Sequence, residues 1–459
     1  MSYTVSSEIF KAYDIRGLVP TQITPEVAFL IGKAYAQVIP LQNKTVAVGR
    51  DVRTHGRMLQ EAVMAGLQSE GIKVVDLGVI STDMLYFAVG KYGYAGGITV
   101  SASHNPAEYN GFKLVKEKAI AIAYDTGINL IQERIQNVFK DIIIETYDSS
   151  AVEFVDTLVN DYIDYLATFV DIAKMKSSAP LTIGFNANHG ITGEIFEKLV
   201  SRLELPITTH GLYLNQDGTF PQGRPDPMYD ANQKAFAQVI TQNNCAIGCA
   251  VDADADRAFF FTREGEFVDG YYTTALLAHI ILQKNPNAKI IHDPRLTWAV
   301  IDEVKYFHGT PIVNRVGHSY IKQRMKEEDA IFGGENSGHY YFRDFYYADS
   351  GLLTILFILS EVMTNNLNLS ELLSFMKSRY PISGEINTKV ANADAVIANI
   401  EQAYPGALVE KIDGLSLSFD NWRCNVRKSN TEPLVRLNVE AKTKELVDEK
   451  VAELMKFIK

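Results

Sequence analysis

The 459-residue chain holds only three cysteines, Cys245, Cys249 and Cys424. An odd number of thiols without metal-site company supports neither a disulfide framework nor a thiolate metal centre, so reduced thiols in a cytoplasmic protein are expected. Positive charge is scarce too. Lys and Arg number 44 against 55 Asp and Glu, a net charge of −11, with a pI near 5.4. That balance argues against a nucleic-acid or anionic-membrane partner. A small anionic substrate stays open, because a local group of arginines can oppose the global sign. Long hydrophobic runs are missing: the longest, 352–362, is broken by Ser360 and Glu361 and is too short to span a bilayer. The opening MSYTVSSEIFKAYD has no apolar signal core. P-loop, G-x-S-x-G and G-x-G-x-x-G patterns are absent, which leaves nucleotide kinases, serine hydrolases and dinucleotide enzymes without support.

What is present is a soluble globular composition, 47% hydrophobic and 22% charged, on a chain long enough for three or four domains. Apolar β-like runs alternate with amphipathic helical stretches, the sign of α/β layers. Strands are expected at 45–49 and 73–77 around a helix at 58–70. A helix at 151–167 opens a second unit, with strands at 181–185 and 246–251. A third unit follows 265–269, with a helix at 271–282, a strand at 289–292 and a last strand near 330–332. Beyond 379–381 the pattern changes to short β runs at 415–419, 421–426 and 434–439 before a closing helix, 444–457. The expected fold is three similar α/β domains with mixed sheets (1–149, 150–264 and 265–378), whose likeness suggests a diverged repeat, and a C-terminal α+β domain (379–459).

Four stretches carry chemistry. Residues 99–113 read TVSASHNPAEYNGFK, a short β run that delivers Ser103 into a loop. Pro106 removes a backbone donor and disfavours helix at Asn105, so the loop cannot continue as regular structure. A serine on such a loop, with Lys113 ten residues on, can serve as a covalent carrier. Residues 252–257 read DADADR. Carboxylates at alternate positions let one turn aim Asp252, Asp254 and Asp256 at a single cation, and an all-oxygen set completed by phosphate suits Mg²⁺. An EF-hand is excluded, since Arg257 stands where its glycine belongs and Arg263 where its glutamate belongs. Three aspartates leave excess negative charge, which Arg257 and Lys113 are placed to offset. Residues 334–339, GENSGH, put a carboxylate and a hydroxyl two positions apart, a pair able to accept from and donate to vicinal sugar hydroxyls. Residues 427–433, RKSNTEP, are followed by Arg436; arginine, hydroxyls and an amide between two strands make a phosphate cradle.

Together these four strings resemble the α-D-phosphohexomutase superfamily, in family order and across essentially the whole chain. The resemblance implies four domains around a central cleft, and reversible phosphoryl transfer between O1 and O6 of a hexose phosphate. It implies that Ser103 is carried as phosphoserine and passes through a bound hexose 1,6-bisphosphate, which also serves as activator. It assigns one Mg²⁺ to Asp252, Asp254, Asp256 and a Ser103 phosphate oxygen, and proton and charge handling to Lys113 and Arg16. Substrate contacts implied are Tyr13 (from the FKAYDIRG opening), Arg257, Arg295, His318, Glu335, Asn336, Ser337, His339, Arg427, Ser429, Asn430, Thr431 and Arg436. Three departures stand out: Ala253 where the family has glycine, Asn336 where Met or Lys is usual, and Arg295 where lysine is expected. AYDIRG and YNGFK favour the mannose/glucose branch over phosphoglucosamine mutases. A metal-dependent sugar phosphatase and a non-catalytic phosphosugar sensor are the readings from other classes. The expected partner is a small hexose phosphate, with no nucleic acid or membrane, for a monomer or weak homo-oligomer.

Overall fold

A computed structural model describes residues 5–41, 45–138, 143–429 and 433–459 of the protein. The chain forms two compact units, residues 1–267 with Asp344–Asn366, and Val268–Arg343 with Leu367–Lys459.

One strand topology occurs three times. In the first domain Thr45–Arg50 lies parallel to both Lys73–Val79 and Gly96–Val100, and Gly96–Val100 turns back antiparallel onto Tyr109–Lys116. In the second, Leu181–Asn186 lies parallel to Ile207–Leu212 and Ile247–Val251, and Ile247–Val251 turns back onto Ala258–Thr262. In the third, Lys289–His292 lies parallel to Thr310–Val313 and Phe332–Gly334, and Phe332–Gly334 turns back onto Tyr340–Phe342. The third strands of the first two domains, Gly96–Val100 and Ile247–Val251, are buried along their whole length, as inner strands of a sheet covered by helices on both faces should be. The sequence strings around Ser103, Asp252–Asp256 and Glu335 therefore occupy the same place in each repeat, the turn between third and fourth strands.

Helix Pro25–Val38 starts at a site built for it. Thr24 caps the Val27 amide, Pro25 takes the first turn and Glu26 faces the positive end of the helix dipole. It packs on Gly56–Gln68 at glycine positions: a Cβ on Gly32 would sit 2.3 Å from the Val63 carbonyl oxygen, and one on Gly66 would sit 2.1 Å from that of Phe29.

The fourth domain is a five-stranded antiparallel sheet in the order Ile386–Lys389, Leu434–Ala441, Trp422–Lys428, Leu415–Ser418, Leu408–Glu410. Helices Ala393–Ala403 and Lys444–Ile458 cover it, and the last buries Val447, Leu454 and Ile458 along one stripe. Residues 429–433 join its two central strands; Asn430 and Thr431 lie outside the described residues.

Two expectations need correction. The helix expected over 151–167 begins only at Leu158, because Val152–Phe154 is a strand pairing with Val74–Asp76. The β-prone Val-Glu-Phe triplet finds a free sheet edge, and pairing there outweighs the helical periodicity. The strand near 330–332 is not the last of its domain, since Tyr340–Phe342 follows it. The apolar run 352–362 lies in the mostly buried helix Gly351–Asn365, and among the described residues no single helix is long and apolar enough to cross a membrane.

The helix contact yields a test with an unusual sign. Gly→Ala inside an exposed helix stabilises by roughly 0.5–1 kcal/mol, but Gly66→Ala should destabilise by about 1–3 kcal/mol, because the added methyl meets a backbone oxygen that cannot step aside. Urea denaturation followed by circular dichroism measures it.

Candidate active site

The first unit gathers Ser103, Lys113, Arg16, the three aspartates and Arg257. Ser103 is nearly buried, at 3% exposure, and sits at φ 50°, a left-handed conformation rare for a non-glycine. Strain of this kind costs about 1–3 kcal/mol and persists only when the surroundings impose it. Here Arg53 imposes it. Its guanidinium donates to the carbonyl oxygens of Ser103 (2.8 Å), Asn105 (2.6 Å), Pro106 (2.6 Å) and Tyr109 (2.9 Å), and its Nε to Asp51 Oδ2 (3.1 Å). Arg16 adds a second clamp, donating to the Ala102 carbonyl (3.2 Å) and Asn105 Oδ1 (2.8 Å) while paired with Asp14. Tyr13 beside it in sequence is half-buried.

So held, Ser103 Oγ donates to Asp252 Oδ2 at 2.9 Å and lies 3.2 Å from His104 Nδ1. Desolvation, then the charges of Arg257, Arg16 and Arg224, keep the His104 imidazole well below its ordinary pKa, so it is neutral. Carboxylate oxygens of Asp252, Asp254 and Asp256 lie within 4.8 Å of one another, all three side chains buried. Burial, opposed by Arg257 and reinforced by Asp256 and Asp254, pushes the Asp252 carboxyl up to about 8. Arg257 donates through Nε to Asp252 Oδ2 at 2.9 Å. Lys113 pairs with Asp254 (2.6 Å) and with Asp256; burial disfavours its charge, but the two aspartates outweigh that and raise its pKa. The donor set fits a hard divalent cation. Three mutually repelling carboxylates face one another, and Asp254 Oδ1 is buried with no hydrogen-bond partner among the described residues.

The loop's strained position differs from expectation. Ala253, where a glycine was expected, is not among the residues with positive φ; Ala255 is, at 54°. Its amide donates to the Asp252 carbonyl (3.0 Å) and its carbonyl accepts from Gly351 N (3.0 Å). Gly351 must be glycine for that approach, since a Cβ there would sit 2.7 Å from the Ala255 oxygen.

The second unit gathers the remaining residues. Arg295, which follows the Lys289–His292 strand, is tied through Nε to Asp293 (2.8–2.9 Å). Arg295, Arg427 and Arg436 then converge on one carboxylate, Glu385, at 3.3, 3.2 and 2.9 Å. Burial would raise the Glu385 pKa, but the three guanidinium groups hold it below the usual carboxylate range. Arg427 Nε and Arg436 Nε are buried without a hydrogen-bond partner among the described residues. The cluster is a cationic cradle fit for a phosphate. Asn336 N donates to Asp293 Oδ2 at 3.2 Å, which joins the GENSGH turn to it. Glu335 accepts from Gly317 N (2.7 Å) and from the Tyr341 hydroxyl. Ser337 Oγ lies 3.3 Å from His339 Nδ1, and the His318 and His339 rings stack at 6.4 Å. Ser429 N donates to the Leu434 carbonyl at 3.0 Å.

Family models for phosphoglucomutase/phosphomannomutase match the whole architecture: alpha/beta/alpha domain I at 7–141, domain II at 160–265, domain III at 269–379 and the C-terminal domain at 385–457. The chain belongs to the phosphoglucomutase/phosphomannomutase family. It is a phosphohexomutase, an isomerase. A Vibrio cholerae phosphomannomutase is 41% identical over 98% of each chain. A solved family protein from Burkholderia thailandensis superposes with a TM-score of 0.83 at 29% identity, over 99% of this chain and 98% of that one. An Aspergillus fumigatus N-acetylphosphoglucosamine mutase solved with glucose 1,6-bisphosphate shares the fold, with a TM-score of 0.57 at 13% identity over 99% of this chain and 96% of that one. Phosphohexomutases are generally Mg²⁺-dependent, in keeping with the aspartate triad.

For a phosphohexomutase the sequence reading missed Arg53, His104, Thr82 and Glu385. Arg53 had a signal. Asp51-x-Arg53 and Asp293-x-Arg295 both follow the first strand of their repeat, and in both the Arg amide and Nε donate to the Asp two residues earlier. His104 lies inside the serine string, directly after Ser103, while Thr82 and Glu385 carry no local motif.

Arg53 supplies the prediction. Arg53→Lys keeps the charge but cannot reach four carbonyls, so Ser103 loses its fixed position. Turnover should fall about 100-fold, the scale of an ångström-sized misplacement, in steady-state assays on hexose 1-phosphates.

Proposed function

We propose that the protein reversibly moves a phosphoryl group between O1 and O6 of mannose and glucose phosphates, with Ser103 as its carrier and a hexose 1,6-bisphosphate bound between the two half-steps. The supporting observation is the buried Ser103 Oγ, 2.9 Å from Asp252 Oδ2 at the edge of a three-aspartate cluster. In the first half-step the bond from phosphorus to Ser103 Oγ breaks as one to the free sugar hydroxyl forms, and the hydroxyl proton leaves to a base. In the second, the bond from phosphorus to the sugar oxygen at the other end breaks as one to Ser103 Oγ re-forms, and that sugar oxygen takes up the proton, so the enzyme ends as it began.

Asp252, Asp254 and Asp256 would hold Mg²⁺, which supplies charge stabilisation to phosphoryl oxygens. Lys113, kept cationic by two aspartates, and Arg16 and Arg257 stabilise charge as it spreads over the transferring group. A lysine so paired is a poor base. Neutral His104, 3.2 Å from Ser103 Oγ, is the better proton acceptor. Arg295, Arg427 and Arg436, with Ser429, Asn430 and Thr431, would take the phosphate that is not reacting. Glu335 and Ser337 take sugar hydroxyls, with Tyr13, His318, Asn336 and His339 as further contacts. The names of the relatives, phosphomannomutases among them, support mannose as one substrate.

Coupled assays on mannose and glucose 1-phosphates with Mg²⁺ and bisphosphate activator should show both sugars converted, with Ser103→Ala reduced to background. Near wild-type turnover by Ser103→Ala would end the carrier reading, and release of free phosphate would point to a phosphatase. Chelation with EDTA should abolish turnover and added Mg²⁺ should restore it.

A further inference from the structure

We propose that Thr82 is a positioning residue for the divalent cation: it orients Asp254 as a ligand, and Asp83 fixes Thr82 in place. The inference rests on the reading that Asp252, Asp254 and Asp256 hold that cation. Thr82 opens helix Thr82–Tyr92, and both Thr82 and Asp254 are fully buried. The Thr82 amide donates to the Asp254 carbonyl at 2.8 Å, and its Oγ1 donates to Asp254 Oδ2 at 2.6 Å. One residue therefore holds Asp254 by main chain and side chain at once. Lys113 donates to the same Oδ2 at 2.6 Å. These two donors occupy one oxygen of the carboxylate and leave Oδ1, buried and without a hydrogen-bond partner among the described residues, as the one available to a metal. With Thr82 removed, Lys113 alone would hold the carboxylate, through a flexible chain and with competition from Asp256. Its two oxygens could then exchange roles.

Asp83 explains why Thr82 cannot drift. Its carboxylate accepts from three hydroxyls: Ser81 Oγ (2.5 Å), Tyr162 OH (2.6 Å) and Ser350 Oγ (2.5 Å). Tyr162 belongs to helix Leu158–Ala167, and Ser350 caps helix Gly351–Asn365. The next amide, Gly351 N, donates to the Ala255 carbonyl inside the metal loop. The loop is thus gripped from two sides, by Thr82 at Asp254 and by Gly351 at Ala255, and Asp83 ties the two grips together. A buried carboxylate with three hydroxyl donors adds little net stability over an apolar core of the same volume. What it adds is geometry, the role that groups behind a metal ligand have in other metalloproteins, where their loss costs 10–100-fold in metal affinity.

The experiment titrates Mn²⁺ into the full-length protein and reads free Mn²⁺ by electron paramagnetic resonance. Wild type should bind Mn²⁺ and Asp254→Asn should lose that binding. Thr82→Val, which keeps the shape and removes the donor, should bind about tenfold more weakly, and Thr82→Ser should restore affinity. Wild-type affinity in Thr82→Val alongside loss in Asp254→Asn would overturn the role of Thr82 while leaving the triad standing. Undiminished binding in Asp254→Asn would overturn both. Should Thr82→Val not fold, Ser350→Ala, whose hydroxyl bonds Asp83 and none of the three aspartate ligands, serves instead: about threefold weaker binding supports the network, and unchanged affinity overturns it.

Discussion

The charge balance around Ser103 is the constraint on which the first unit depends. Three buried aspartates face two buried cations, Lys113 and Arg257, so with all three ionised the cluster would carry an uncompensated negative charge. Burial magnifies that deficit, and the raised pKa of Asp252 expresses it. A divalent cation held by the three aspartates would remove that deficit. The same logic, with signs reversed, organises the second unit. Arg295, Arg427 and Arg436 share Glu385, and Asp293 takes part of the charge of Arg295, leaving a cationic cradle that one more anion would complete.

The repeated topology explains how such clusters arise. Each α/β domain turns from its third, buried strand into an antiparallel fourth, and the turn between them carries the Ser103, Asp252–Asp256 or Glu335 chemistry. The turn after the first strand carries the support. Asp51-x-Arg53 braces the serine loop, and Asp293-x-Arg295 presents an arginine to Glu385. In the second domain Asn186-x-Asn188 keeps the amide contact, Asn188 N to Asn186 Oδ1 at 2.9 Å, without the charge. One backbone solution has thus been given three sets of side chains.

Most of the fold was legible because periodicity survives in buried strands and capped helices. It failed at 151–157, where a three-residue strand pairs with a distant edge that no local pattern reveals. The candidate site residues were legible because they come as contiguous strings. Arg53 and Glu385 were not, since each acts by gathering groups from distant sequence: four carbonyls in one case, three guanidinium groups in the other. Thr82 and Asp83 are ordinary at the start of a helix and acquire meaning only when Asp254, Tyr162 and Ser350 are brought against them. Ala253 drew attention as a missing glycine, yet the left-handed position is Ala255, a distinction that only backbone angles make.

The central claim is that Ser103 carries the phosphoryl group. The most direct measurement is mass spectrometry of the intact protein and its peptides after incubation with glucose 1,6-bisphosphate and Mg²⁺. The account predicts a single phosphoryl increment, located at Ser103 and discharged onto added hexose 1-phosphate. A protein that turns substrate over while its Ser103 peptide stays unmodified, or that carries the label on another residue, would contradict it.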